Sequence, residues 1–387
     1  MDTPARFRIP RVVLSGCGAA AQIDQLAAEL NARSVLVVTD GRLVESGTVE
    51  PVLTSLRAAG LPLAIYGGVT SEPTLRHVDE ALTMVRDHRA DTVIGVGGGS
   101  AIDAAKATAI MAEHDGVLPD YEGYDRFPKS GLPVIAVPTT AGTGSEVTRV
   151  AVVIDERRRV KMMLASDRLL PAAAVVDPLL TLGCPPSVTA SSGIDALSHA
   201  IEAYVSRRAQ PLTDALALSA CRLIAPHLPI AHRNGSDVAA RSKVMDGALQ
   251  AGMAFSNSSV ALVHGMSRPL GAVFGIPHGL ANAMLLGPVM RFSLAGAVGR
   301  YADLADALGA PSTATSVEAR ATAAVDAVIA LVAELGIPRI RDFGVERSAF
   351  ERELHKMADD AIASGSPANN PIVPTHDEIV RLYIESY

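Results

Sequence analysis

Four side chains that commonly bind metals lie in the second half of this 387-residue chain. Asp195 and His199 are four residues apart in a helix-like segment, which places both on one helix face. His264 and His278 lie in apolar stretches, where burying an imidazole without a partner is costly. One carboxylate and three imidazoles suit Fe(II) or Zn(II). The pattern is also typical of core histidines paired with an acid, so both interpretations stay open here.

A run of three glycines, Gly97–Gly99, separates a β-branched run from a helix-like segment. Residues without side chains let backbone N–H groups approach a phosphate closely. Ser100 is expected to cap the following helix, whose N-terminal dipole favours an anion. The pattern is not the GxGxxG fingerprint, because Ser100 replaces the last glycine, and it is not a Walker A loop. The glycines alone fit a diphosphate site and a ligand-free turn equally well.

A second polar loop follows the next predicted strand, at 138–148, and carries five hydroxyl side chains and two glycines. In an open α/β sheet both loops lie at the carboxyl ends of strands, where such folds bind ligands. This placement favours a ligand site over a Thr-rich surface loop. Asp40 ends an earlier strand, where a carboxylate suits the ribose 2′-OH of NAD and repels the 2′-phosphate of NADP. A strand-end Asp also serves as a cap or turn former, so the preference for NAD is an expectation.

Two domains are needed to position these residues. Predicted strands at 34–40, 61–66, 91–96 and 133–138 alternate with predicted helices at 43–59, 74–89 and 100–113. This alternation predicts βαβ units and a parallel sheet. After 183–187 the pattern becomes Ala-rich with helical period, and predicts helices at 187–206, 211–232, 237–256, from 258 onward, 296–309, 317–335 and 348–363. We therefore expect an α/β domain over 1–184 and an all-helical domain over 185–387.

The composition argues against several classes of protein. With 49% hydrophobic and 19% charged residues, the chain is not expected to be disordered. The net charge of −7 and the absence of Trp argue against binding to nucleic acid or to a membrane surface. Three cysteines without a CxxC pair (Cys17, Cys184 and Cys221) indicate reduced thiols. With no signal-like apolar segment at the N-terminus, these features predict a cytoplasmic protein.

Five ordered motifs resemble the iron-containing (group III) alcohol dehydrogenases, and the similarity covers essentially the whole chain. The motifs are GGGSAIDAAK at 97–106, PTTAGTGSEVT at 138–148, DPLLT at 177–181, GIDALSHAIEAYVS at 193–206 and PHGLANAMLL at 277–286. The resemblance implies an N-terminal Rossmann-like NAD(P) domain with a parallel sheet, followed by an all-helical metal domain. Dehydroquinate synthase shares this architecture.

The resemblance also implies roles for individual residues. Asp195, His199, His264 and His278 fall on the four metal ligands, with Fe(II) expected and Zn(II) the alternative. Asp40 falls on the adenosine-ribose position, and Lys161 on a lysine that approaches the cofactor ribose. The residues that fall on the diphosphate loop and the cofactor-contacting hydroxyls are Gly97, Gly98, Ser100, Asp103, Thr139, Thr140, Thr143 and Thr148.

The implied activity is reversible NAD-linked hydride transfer between nicotinamide and a primary alcohol or aldehyde at the metal, in a homodimer or larger homo-oligomer. One position departs from the family: a second histidine, often implicated in proton relay, is replaced by Arg268. Arginine stays protonated and cannot shuttle a proton, so the proton is expected to leave through bound water or the cofactor ribose hydroxyls. Arg268 is expected either to bind a substrate carboxylate, phosphonate or sulfonate bidentately, or to pair with a structural acid or the cofactor phosphates.

Three alternatives remain open from the sequence. A dehydroquinate-synthase-like lyase would use a Glu in the metal set and a basic substrate pocket, whereas this chain has Asp195 and few basic residues near the expected ligands. A glycerol-type polyol dehydrogenase differs mainly in ligand set and substrate. A regulatory nucleotide-binding protein with a relict site would be expected to lack a ligand, and none is missing here.

Overall fold

The computed structural model describes residues 4–70, 72–158, 160–310 and 316–387. The chain forms two compact units. The first runs from Ile9 to Cys184. The second comprises the chain from Pro185 to the C-terminus together with a short N-terminal segment that ends at Arg8.

The first unit alternates strands and helices. Its strands are β1 (Val12–Ser15), β2 (Val35–Asp40), β3 (Leu63–Val69), β4 (Thr92–Gly97), β5 (Gly123–Tyr124), β6 (Val134–Pro138), β7 (Val150–Asp155), β8 (Val160–Ala165) and β9 (Ala173–Val176). Its helices are α1 (Ile23–Glu29), α2 (Gly41–Glu45), α3 (Glu50–Ala58), α4 (Leu75–His88) and α5 (Gly99–Met111).

Six of these strands form a parallel sheet in the order β1-β9-β6-β4-β2-β3. The central strands β4 and β6 are buried along their whole length, as their continuous apolar runs predict for a sheet covered on both faces. Because the strands are parallel, the carboxyl ends of β2, β4 and β6 lie at one edge of the sheet. Asp40, Gly97 and Pro138 are the last residues of these strands, and Gly97 pairs with Pro138.

The second unit is helical throughout its described part. Its helices are α6 (Pro186–Val205), α7 (Pro211–Arg233), α8 (Val238–Asn257), α9 (Leu262–Phe274), α10 (His278–Ser293), α11 (Val298–Leu308), α12 (Val317–Glu334), α13 (Arg347–Ala363) and α14 (His376–Ser386). Among the described residues, no helix combines the length and the apolar character needed to cross a bilayer.

The predicted fold class is confirmed: a parallel α/β unit is followed by a helical unit. The prediction of one helix over 43–59 is wrong. That segment forms α2 and α3, because Gly47 adopts a positive φ of 75° and ends the first of them. The antiparallel pair β7–β8 was not predicted, since the turn between these strands has charged residues instead of Gly or Asn.

Candidate metal centre and cofactor loops

Two loops of the first unit meet where β4 and β6 end. The backbone N–H of Thr139 donates to the carbonyl of Gly97 at 2.9 Å, so the two loops begin side by side. Gly97 has φ of 152°, and a Cβ there would lie 2.7 Å from the Cβ of Ala101. Both features require glycine, because an L side chain rarely adopts this φ and no room exists for a methyl group.

The helix after the glycines begins one residue earlier than the sequence predicts. Gly98 is the N-cap of α5 and Gly99 its first helical residue, so the expectation that Ser100 caps this helix is wrong. Ser100 instead lies in the first turn, where the helix dipole favours an anion. A Cβ at Gly98 would have Thr140 as its nearest neighbour, 3.7 Å away. The structure thus places Gly98 opposite one of the predicted cofactor hydroxyls.

Several predicted cofactor residues also make contacts within the protein. Asp103 accepts hydrogen bonds from the Ser145 hydroxyl and the Val152 N–H, and burial raises the pKa of its carboxyl. Thr148 accepts a hydrogen bond from the buried Lys106 ammonium at 3.2 Å. Thr143 Oγ1 accepts a hydrogen bond from the backbone of Ser145. These contacts hold the 138–148 loop against α5.

Asp40 and Lys161 are each paired with an opposite charge. Asp40 is the N-cap of α2: it accepts the Arg42 N–H at 2.7 Å and pairs with the Arg42 guanidinium at 2.9 Å. Burial opposes ionisation of this carboxyl, but the hydrogen bonds from Arg42 keep its pKa below the usual value. Lys161 Nζ lies 2.9 Å from a carboxylate oxygen of Glu72. Asp40 therefore caps a helix, which is one of the two roles that the sequence allows. Its carboxylate still lies at the end of β2.

In the second unit, α6, α9 and α10 bring the predicted metal ligands together. Asp195 and His199 share one face of α6, His264 lies in the first turn of α9, and His278 is the first residue of α10. One ligand atom from each of Asp195, His199 and His264 lies within 4.8 Å of the other two. The Asp195 Oδ1 lies 3.5 Å from His264 Nε2 and 3.9 Å from His278 Nε2.

The positions of the four side chains depend on close helix packing. A Cβ at Gly279 would lie only 2.7 Å from the Ser191 carbonyl oxygen, so glycine here allows α10 to approach α6. The His199 ring stacks between Phe255 and His264, at centroid distances of 4.1 and 4.4 Å. Asp195 and His264 side chains are 3% exposed, whereas that of His278 is 39% exposed. The cluster is therefore buried at Asp195, His199 and His264 and accessible at His278.

The donor set fits a divalent transition metal. Ligand atoms about 2.1 Å from a tetrahedral metal lie about 3.4 Å apart, close to the distances between Asp195 and the two Nε2 atoms. Burial would raise the pKa of Asp195, but His199, His264 and His278 lower it, so the carboxylate is charged. The Asn282 amide nitrogen lies 2.6 Å from Asp195 Oδ1 and 3.1 and 3.2 Å from Nε2 of His264 and of His278.

Three residues of this centre were not predicted from the sequence: Glu202, Phe255 and Asn282. Glu202 follows His199 by three residues and Asn282 follows His278 by four, so helical spacing places each on the ligand face. Phe255 lies on α8 and carries no such signal. Arg268 lies one turn after His264, half-buried, and its guanidinium donates to Ser366 Oγ at 3.3 Å.

Comparison with known proteins identifies the family. The family model for iron-containing alcohol dehydrogenase matches residues 10–178, and the model for the C-terminal region of the same family matches residues 189–387. The chain belongs to the iron-containing alcohol dehydrogenase family. This oxidoreductase family is the one that the sequence motifs predict, so that prediction is confirmed.

Individual relatives extend along nearly the entire chain. The 1,3-propanediol dehydrogenase of Citrobacter freundii is 38% identical over 384 residues, 98% of each chain. A crystal structure of 1,3-propanediol oxidoreductase superposes with a TM-score of 0.96 at 37% identity and covers 100% of both chains. The sulfoacetaldehyde reductase of Bifidobacterium kashiwanohense, solved in complex with NAD+, has a TM-score of 0.88 at 30% identity over 99% of both chains. The relatives are thus alcohol dehydrogenases and aldehyde reductases.

Proposed function

We propose that the protein is a metal-dependent, NAD-linked alcohol dehydrogenase and aldehyde reductase that acts on a primary alcohol or its aldehyde. The observation that carries this proposal is the convergence of the buried residues Asp195, His199 and His264 with the partly exposed His278 beside them. A cluster of one carboxylate and three imidazoles, in a chain of this family, supports a bound Fe(II), with Zn(II) the alternative. When bound, such a cation supplies Lewis-acid chemistry, and the nicotinamide supplies or accepts the hydride.

The chain's own residues prepare this chemistry in three ways. Asp195 supplies the negative charge of the ligand set, and three neutral imidazoles supply nitrogen lone pairs. Packing of α6, α9 and α10 excludes water from the Asp195 side of the cluster. The partly exposed His278 marks the side from which a small alcohol or aldehyde reaches the site. Arg268 remains charged, so the proton lost by the alcohol has no imidazole acceptor at that position.

We propose that the nucleotide is NAD and that its diphosphate binds at the N-terminus of α5. Gly97 and Gly98 leave the backbone open there, and the first-turn N–H groups favour an anion. Ser100, Asp103, Thr139, Thr140, Thr143, Thr148 and Lys161 are proposed to support or contact the cofactor. The carboxylate of Asp40 at the end of β2 favours the ribose 2′-OH of NAD over the 2′-phosphate of NADP.

We propose that Arg268 selects a substrate with an anionic group. It lies one helical turn from His264, and an arginine fork matches carboxylate, phosphonate and sulfonate groups. Among the relatives, the sulfoacetaldehyde reductase is named for an anionic aldehyde, whereas the 1,3-propanediol dehydrogenase is named for an uncharged substrate, so the proposal rests on Arg268 itself.

The His264→Ala variant tests the metal site. We expect it to lose bound Fe(II) and aldehyde-dependent NADH oxidation while its NADH affinity stays unchanged. His227→Ala is the matched control, since this half-buried histidine lies on α7 and bonds to the Leu223 carbonyl. Turnover that survives in His264→Ala would refute the ligand assignment.

The substrate proposal is tested with two aldehydes of similar length, butanal and succinic semialdehyde. We expect kcat/KM to favour the anionic aldehyde, and Arg268→Met to remove this preference with little effect on butanal. Arg268→Lys, which keeps the charge but not the fork, is the matched control. A wild-type preference for butanal would make Arg268 structural.

We propose that the protein is a homodimer or larger homo-oligomer, as the family resemblance implies, and that it is cytoplasmic, as the three cysteines without a CxxC pair predict. Light scattering on the purified protein measures the mass directly, and a monomeric mass of 40.2 kDa would contradict the assembly proposal.

A further inference from the structure

Glu202 is buried on α6 beside the metal cluster, although it is not one of the four proposed ligands. Its side chain is 4% exposed. One carboxylate oxygen, Oε1, accepts the backbone N–H of Val263 at 2.6 Å. The other, Oε2, lies 2.6 Å from Nδ1 of His264. A single carboxylate thus contacts both the backbone at the start of α9 and the ring of the ligand that α9 carries.

The contact with His264 determines which ring nitrogen carries the hydrogen and which carries the lone pair. An ionised carboxylate only accepts hydrogen bonds, so Nδ1 of His264 must carry the hydrogen. In the neutral ring the lone pair is then on Nε2, the atom that lies 3.5 Å from Asp195 Oδ1. The tautomer with hydrogen on Nε2 would point an N–H into the cluster and could not bind a cation through that atom.

The contact with Val263 fixes the position of the same ring. Val263 lies in the first turn of α9, whose N–H groups have no acceptor within the helix. Glu202 accepts one of them, and a negative charge at a helix N-terminus is stabilising. Since His264 follows Val263 directly, the carboxylate holds both the backbone and the ring of this residue.

We infer that Glu202 is a positioning residue that holds His264 in the metal-binding tautomer and orientation before any metal arrives. The metal-related part of this inference rests on the proposed function, whereas the tautomer part concerns the metal-free protein. Outer carboxylates of this kind typically change metal affinity by about 10- to 100-fold when replaced.

The Glu202→Gln variant separates the two contacts. Glutamine has the same size but replaces one oxygen with an NH2 group, so it cannot accept from Val263 on one terminal atom and from His264 on the other. If its oxygen stays on Val263, its NH2 group faces Nδ1 of His264 and drives the hydrogen to Nε2.

Glu202→Asp keeps the carboxylate on a shorter stem and is the conservative variant. Glu334→Gln is the matched control, because this exposed glutamate on α12 pairs only with Arg233 among the described ion pairs.

The first measurement is the histidine tautomer in the metal-free protein, read by long-range proton–nitrogen NMR on histidine labelled with nitrogen-15 at alkaline pH, where the His264 ring is neutral. His264 is assigned by the signal that is lost in His264→Ala. We expect hydrogen on Nδ1 in the wild type and in Glu334→Gln, and on Nε2 in Glu202→Gln. Hydrogen on Nε2 in the wild type would overturn the inference without any variant.

The second measurement is the affinity for Zn(II), titrated against a competing chelator. We expect the dissociation constant to rise about 10- to 100-fold in Glu202→Gln, to recover at least in part in Glu202→Asp, and to be unchanged in Glu334→Gln. An unchanged constant in Glu202→Gln would overturn the inference. If the wild type itself failed to bind Zn(II) and Fe(II), the proposed function would fail, while the tautomer measurement would still decide whether Glu202 orients His264.

Discussion

Adjacent glycines at the end of β4 differ in what a methyl group would meet, and this difference separates folding from cofactor binding. In Gly97→Ala the new Cβ would lie 2.7 Å from the Ala101 Cβ, at a φ of 152°. The strained φ costs about 1–3 kcal/mol, and the overpacking about 1–3 kcal/mol more. We therefore expect Gly97→Ala to lose roughly 2–6 kcal/mol of unfolding free energy.

Gly98→Ala should instead spare the fold. Its φ of −69° and ψ of −176° suit alanine, and its nearest neighbour is Thr140 at 3.7 Å, an ordinary contact. We expect a stability loss below about 1 kcal/mol, the scale of an N-cap change. The methyl group would, however, occupy space between the α5 N-terminus and Thr140. Losing one charge-assisted hydrogen bond to a diphosphate costs about 1.5–3 kcal/mol, which corresponds to a roughly 10- to 150-fold weaker NADH affinity.

Urea unfolding followed by circular dichroism gives the stability of both variants, and NADH fluorescence titration gives their affinity. The expected pattern is a destabilised Gly97→Ala and a stable Gly98→Ala with weak NADH binding. A stable Gly98→Ala that binds NADH as tightly as the wild type would refute the placement of the diphosphate at this helix N-terminus.

Three further predictions concern other parts of the molecule. Gly279→Ala should push α10 away from Ser191 on α6 and weaken Zn(II) affinity, with a stability loss of about 1–3 kcal/mol; a chelator-competed Zn(II) titration with wild-type affinity would contradict this. Saturating the apo-protein with Zn(II) at 100 times its dissociation constant should raise the unfolding free energy by about 2.7 kcal/mol in urea titrations, and His264→Ala should remove this gain. Burial lowers the pKa of Lys106 to about 8 from 10.5. Between these pH values the unfolded chain therefore binds more protons than the folded chain, and the unfolding free energy rises with pH. The wild type should therefore gain up to about 3 kcal/mol relative to Lys106→Met between pH 8 and 10.5, and a pH-independent difference in urea unfolding would refute this.

The sequence predicts those parts of the site that depend on local spacing. Asp195 and His199 share a helix face because four residues span about one turn, and the structure keeps them together. Gly97 marks the turn at the end of β4, because other residues rarely tolerate its φ and its close approach to Ala101. The other two ligands are predicted from residue type instead of spacing, because His264 and His278 lie in apolar stretches where an imidazole needs a partner.

Contacts between distant elements could not be predicted in the same way. Glu202 lies inside a motif that the sequence analysis singled out, but its spacing from His199 does not show that its carboxylate reaches α9. Phe255 stacks on His199 from α8, and only the packing of α6 and α8 shows this. Asp103 lies in a predicted helix, and only its position relative to Ser145 and Val152 in the structure shows that it holds the 138–148 loop.

The most direct measurement is aldehyde-dependent NADH oxidation by the metal-free protein before and after anaerobic loading with Fe(II). Asp195 and the three histidines are proposed to hold the cation that this reaction needs, so we expect no turnover without metal and clear turnover after loading. Equal turnover in the metal-free protein, or none after loading with Fe(II) or Zn(II), would contradict the assignment of this cluster as the catalytic centre.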